Sequence, residues 1–66
     1  MQPGAPIDET GTLTRDGGVF CLRRDAGGRF RLDLRRTPVD EVEKRVRVIG
    51  TYAGDGLVEV DGVALV

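Results

Sequence analysis

The stretch DAGGRFRLDLRR, residues 25–36, decides how this chain folds. Phe30, Leu32 and Leu34 fall on one side of an extended backbone, with Arg29, Arg31, Asp33 and Arg35 on the other. Strict alternation with that contrast in polarity marks a half-buried β-strand. The DAGG that precedes it supplies a turn, because glycine adopts the positive φ that tight hairpins require. Upstream, VFCLRRD (residues 19–25) has strand character. Placing Phe20 and Leu22 on the inner face of Phe30 predicts a β-hairpin over residues 19–35.

Working outward, Asp16–Gly18 repeats the glycine turn, and TGTLTR (residues 10–15) offers β-prone threonines around Leu13. MQPGAPIDE, residues 1–9, has two prolines and little periodicity. It reads as a flexible arm, with Ile7 able to staple it to the domain over residues 10–66. Downstream, TPVDEVEK (residues 37–44) changes period. Thr37 suits an N-cap, Pro38 the first helical position, and Asp40 with Glu41 the positive end of a helix dipole. Val39 and Val42 are three apart, so a short helix is predicted over residues 38–43. RVRVIGTYAG (residues 45–54) returns to alternation, with Val46 and Val48 inward. Gly50 within a strand predicts a bulge or bend. After the turn AGDG, LVEVDGVALV (residues 57–66) points Val58 and Val60 to the core and is kinked at Asp61–Gly62. The expected order is β-β-β-α-β-β.

The totals agree with a single small β-rich domain. A chain of 66 residues buries roughly 60% of its unfolded surface, enough for one marginal core. Nine Val, six Leu, two Ile and two Phe suit pleated, half-buried surfaces. The net charge of −1 gives no global attraction to an anion. Its distribution is uneven. All ten basic residues lie between Arg15 and Arg47, where six acidic ones leave +4, and the flanks carry −5. Nine arginines to one lysine suit planar, bidentate contacts, and equally fit a GC-rich genome. Cys21 is the single cysteine, which fits a reducing compartment. With no leader pattern and no apolar run near 18 residues, a soluble, cytoplasmic protein is expected.

Five short strands with a small helix between the third and fourth resemble the OB-fold, a partly open Greek-key barrel. RVRVIGTYAGDGLVEVDGV (residues 45–63) is similar to the last two strands of small bacterial OB-like domains. With GTLTRDGGVFCLRRD and GGRFRLDL before it, the chain resembles a family of small uncharacterised proteobacterial proteins over about residues 10–64. That resemblance implies an all-β, five-stranded OB-like barrel with one short helix, and brings no site residues. VRVIGTYAGDGLVEV (residues 46–60) also resembles the KOW element of SH3-like barrels, which makes an SH3-like barrel the alternative fold.

Chemistry is largely excluded by composition. The chain has no histidine and no serine, so a hydrolytic triad has no conventional base or hydroxyl, and a lone cysteine gives no zinc spacing. The carboxylates Asp40–Glu43 sit where a helix start favours negative charge, and GDG at residues 54–56 lacks the further oxygen ligands of a calcium loop. The double glycines lack the G-x-x-x-x-G-K spacing of a phosphate loop. No catalytic residue, metal or cofactor is expected. There remains an arginine-rich strand face, with Arg23, Arg29, Arg31 and Arg47 as cationic candidates and Tyr52 as the one aromatic expected to be free. Such a face can neutralise phosphates of single-stranded nucleic acid or hold another anionic ligand. The plain alternative is a solvated strand face, partly compensated by Asp25 and Asp33. The rival class is a structural or protein-interaction domain that forms a homodimer through an exposed strand edge.

Overall fold

The computed structural model describes residues 2–38 and 40–66. The alternating stretches become five strands: β1 (Pro6–Asp16), β2 (Val19–Arg24), β3 (Arg29–Asp33), β4 (Arg45–Gly54) and β5 (Leu57–Leu65). They lie in the order β1-β2-β3-β5-β4, and β4 pairs back to β1 to close a barrel. Every neighbour is antiparallel except β3 and β5, which run parallel and meet over Arg31–Asp33 and Leu57–Glu59. The expected hairpin forms, with Phe20 opposite Leu32 and Leu22 opposite Phe30. Its second strand stops at Asp33, two residues short of the expected end, and Leu34 is half-buried against the core.

Alternation sends one face of each strand inward. Ile7, Leu13, Leu22, Phe30, Leu32, Val46, Val48, Val58 and Val60 make a single buried cluster. Leu13, Leu22 and Phe30 form one row of it across β1, β2 and β3. Phe20 and Tyr52 pack against the cluster from its margins.

Closing the ring needs strands that bend. Gly11 pairs with Arg24 on β2 and with Val46 on β4, so β1 turns here from one partner to the other. The Arg23 carbonyl packs so closely on Gly11 that a Cβ would overlap it, and the Glu59 carbonyl lies against Gly50 in the same way. The bulge expected at Gly50 is present. Ile49 faces Gly62 while Gly50 faces Val60, which leaves Asp61 unpaired and kinks β5.

Two expectations are corrected. The arm expected to be flexible over residues 1–9 is strand from Pro6 onward, where β1 begins, with Pro6 opposite Thr51 and Ile7 opposite Gly50. The ladder continues upstream, where the Tyr52 amide donates to the Ala5 carbonyl at 2.9 Å and the Gly4 amide to the Tyr52 carbonyl at 2.7 Å. Pairing with β4 and burial of Ile7 outweigh the local proline and glycine content. The helix over residues 38–43 is absent, for no helix occurs among the described residues, and Val39 lies outside them. Six residues barely exceed the costly first turn of a helix. The segment bonds to β1 instead: the Glu43 amide donates to the Leu13 carbonyl at 2.7 Å, and the Leu13 amide to the Lys44 carbonyl at 3.1 Å. Glu43 takes a left-handed φ of 67°, incompatible with a right-handed helix.

Candidate anion-binding face

The outer side of β2 and β3 carries the arginines that the core pattern turns to solvent. Arg23 stands directly opposite Arg29 in the antiparallel register, and Arg31 is opposite Cys21. Arg29 and Arg31 project from the same side of β3, about 7 Å apart by strand rise. All three are exposed. A shallow groove of about 420 Å³ runs across this face, lined by Asp16, Val19, Cys21, Arg29, Arg31, Asp55 and Gly56. Its walls are the β1–β2 turn on one side and the β4–β5 turn on the other.

Ion pairing sorts the arginines into two groups. Arg24 pairs with Glu9 at 2.9 Å, Arg45 pairs with Asp25, Arg47 with Asp8 at 2.6 Å, and Arg35 approaches Asp61 at 4.0 Å. Among the described residues, Arg15, Arg23, Arg29, Arg31 and Arg36 have no carboxylate within that range, and Arg23, Arg29 and Arg31 are the three that lie together on the β2–β3 face. The compensation expected from Asp25 goes to β4 instead, and Asp33 makes no ion pair among the described residues. Like charges directly opposite on neighbouring strands repel, so Arg23 and Arg29 form an uncompensated cationic pair.

Arg31 is fixed in place. Its amide donates to the Gly56 carbonyl at 2.8 Å, and its guanidinium Nη2 donates to the Asp55 carbonyl at 2.7 Å. The same turn is braced from inside, where the Gly56 amide donates to the Tyr52 hydroxyl at 2.8 Å. Local sequence offers no signal for this contact, because Arg31 and Asp55 are 24 residues apart and meet only through the parallel β3–β5 pairing.

Tyr52 and Arg47 do not join the face. Tyr52 lies opposite Val58, a core position, and its ring meets Phe30 at 6.0 Å between centroids. It is a packing and turn-bracing residue, contrary to the expectation of a free aromatic. Arg47 sits on β4 opposite Thr10, across β1 from the β2–β3 surface. Both Nε and Nη2 donate to the Asp8 carboxylate, at 2.7 and 2.6 Å. Those hydrogen bonds hold the Asp8 carboxyl below its ordinary value of 3.8 and push the Arg47 guanidinium further up. Arg24 is likewise structural, stacked 4.8 Å over the Phe30 ring.

Cys21 occupies an outer-face position yet is only 5% exposed, packed between its cross-strand neighbours Thr14 and Arg31. Among the described residues no group of His, Cys, Asp and Glu has metal-binding geometry. No helix there is long and apolar enough to cross a membrane.

No curated protein and no solved structure matches the chain. A model of the family described as "protein of unknown function (DUF5818)" matches residues 10–66, close to the span 10–64 over which a small uncharacterised family was expected. That match covers all five strands save the first residues of β1, and the chain accordingly belongs to the DUF5818 family.

Proposed function

We propose that this domain is a non-catalytic binding module that holds an anionic chain, single-stranded nucleic acid foremost, on the outer face of β2 and β3. One observation carries the reading: Arg23, Arg29 and Arg31 converge without carboxylate partners, while Arg24, Arg45 and Arg47 are each ion-paired. The strand order and the parallel β3–β5 seam support an OB-like barrel lacking its helix. Oligonucleotides bind OB-folds on the strand 2–3 face between the loops joining strands 1–2 and 4–5. The groove here lies in that position, with Asp16 at one turn and Asp55–Gly56 at the other. A reducing, cytoplasmic setting suits such a role and the single thiol.

Fluorescence anisotropy with labelled oligo-dT tests this directly. Binding at low salt should weaken as salt rises with a log–log slope of about −2, the value for three phosphates at roughly −0.7 each. Arg29→Ala/Arg31→Ala should abolish it. Flat anisotropy at low salt for the native chain would end the proposal.

The second reading, a protein-interaction domain that dimerises through a strand edge, draws on the short β3–β5 seam. Beyond Glu59, β5 pairs only with β4, and Leu65 on it is 54% exposed. Sedimentation showing a monomer at high concentration would remove that reading.

A further inference from the structure

We infer that the arginine face grips the phosphate chain of its ligand and is blind to the bases. This rests on the anion-binding reading above and narrows it to a ligand class. Single-strand binders ordinarily add aromatic side chains on which bases stack. The chain has two Phe and one Tyr, and all three are committed elsewhere. Phe30 is buried in the core, Tyr52 lies against it, and Phe20 packs at the core margin under the Arg15 guanidinium at 5.5 Å. The groove between the two turns has no ring in its lining.

Hydrogen-bond readout of bases is equally poorly served. Asn and Gln read adenine, Ser and Thr read several bases, Asp and Glu accept from cytosine, and Arg reads guanine by bidentate contact. The chain contains no Asn and no Ser, and its single Gln, Gln2, and its five Thr lie outside the groove lining. Arg23 and Arg29 have no ion-pair partner among the described residues to orient their guanidinium planes. A phosphate accepts hydrogen bonds from many directions and needs no such orientation. Arg31 is oriented, but toward the Asp55 carbonyl, which fixes a cation at the groove wall. Asp16 and Asp55 line the turns of the groove, so the positive charge that suits a repeating phosphate backbone is the row of Arg23, Arg29 and Arg31 across β2 and β3.

The test compares three probes of equal phosphate number on the full chain: labelled oligo-dT, an abasic oligodeoxynucleotide, and inorganic polyphosphate as competitor. Oligo-dT and the abasic strand should bind within about twofold of each other, with similar salt slopes. Displacement by polyphosphate would show that phosphate alone suffices, and its failure would identify a sugar–phosphate backbone as the source. Both results keep the face base-blind. Arg29→Lys, which keeps the charge and loses the planar fork, should bind both strands nearly as well as the native chain, whereas Arg29→Ala/Arg31→Ala should bind neither. Oligo-dT binding tenfold or more tighter than the abasic strand would overturn the inference and leave the anion-binding reading intact. If no probe binds, the anion-binding reading itself falls.

Discussion

Arg23 and Arg29 face each other across the β2–β3 ladder, both exposed and neither ion-paired among the described residues. Like charges directly opposite destabilise a sheet, whereas an opposite-charge cross-strand pair contributes roughly 0.2–1 kcal/mol. Arg29→Glu should therefore stabilise the fold by up to about 1 kcal/mol while removing oligonucleotide binding. Denaturant midpoints and anisotropy on the same variant measure the two effects. A variant that loses stability along with binding would mean that Arg29 has a structural role.

Gly11 and Gly50 mark where β1 and β4 bend against neighbouring carbonyls. Gly11→Ala or Gly50→Ala forces backbone apart, and overpacking of this kind costs about 1–3 kcal/mol or more. That is a large share of the stability of so small a domain. Gly62→Ala is the control, since a Cβ there meets nothing within 4 Å. Thermal melts followed by circular dichroism should place the first two far below the native chain and the third close to it.

Tyr52→Phe deletes the hydroxyl that accepts the Gly56 amide and keeps the ring against Phe30. A loss of about 1 kcal/mol is expected. Amide exchange should quicken at Gly56 in the turn and at Arg31, whose amide donates to the Gly56 carbonyl, and stay unchanged at Leu13 and Leu22. Uniformly faster exchange would show that the hydroxyl braces more than this turn.

Acid should loosen the β1–β4 seam. The Asp8 carboxyl is held below 3.8 by its hydrogen bonds to Arg47, so the folded state binds that proton less readily than the unfolded one. The stabilisation is complete above about pH 4 and disappears as pH falls through the lowered value. The raised Arg47 value adds nothing in this window, because the guanidinium stays charged throughout. Urea midpoints of the native chain and Asp8→Asn should differ near neutrality and converge in strong acid. A constant offset at every pH would assign the difference to packing.

The strands, their inner faces and most of the core were legible from residue order. Period-two alternation identifies Phe30, Leu32, Val46, Val48, Val58 and Val60 without reference to any distant contact, and glycine marks the turns and the bulge at Gly50. The same alternation also put Arg23, Arg29 and Arg31 on a solvent face. The helix expectation failed because capping and charge signals over residues 37–43 are local. The hydrogen bonds that defeat them join Glu43 and Lys44 to Leu13, far away in the chain.

Residue order by itself determined a β-rich chain with an apolar and a cationic side to its central hairpin, because side-chain direction along a strand depends only on position. Tertiary structure alone decided which arginines remain unpaired. Asp8, Glu9 and Asp25 reach Arg47, Arg24 and Arg45 only once the barrel closes. Closure also brings the Asp55 carbonyl to Arg31 and takes Tyr52 into the packing. Ion pairs and turn contacts between residues 15 to 39 positions apart depend on strand order and register, which no local pattern contains.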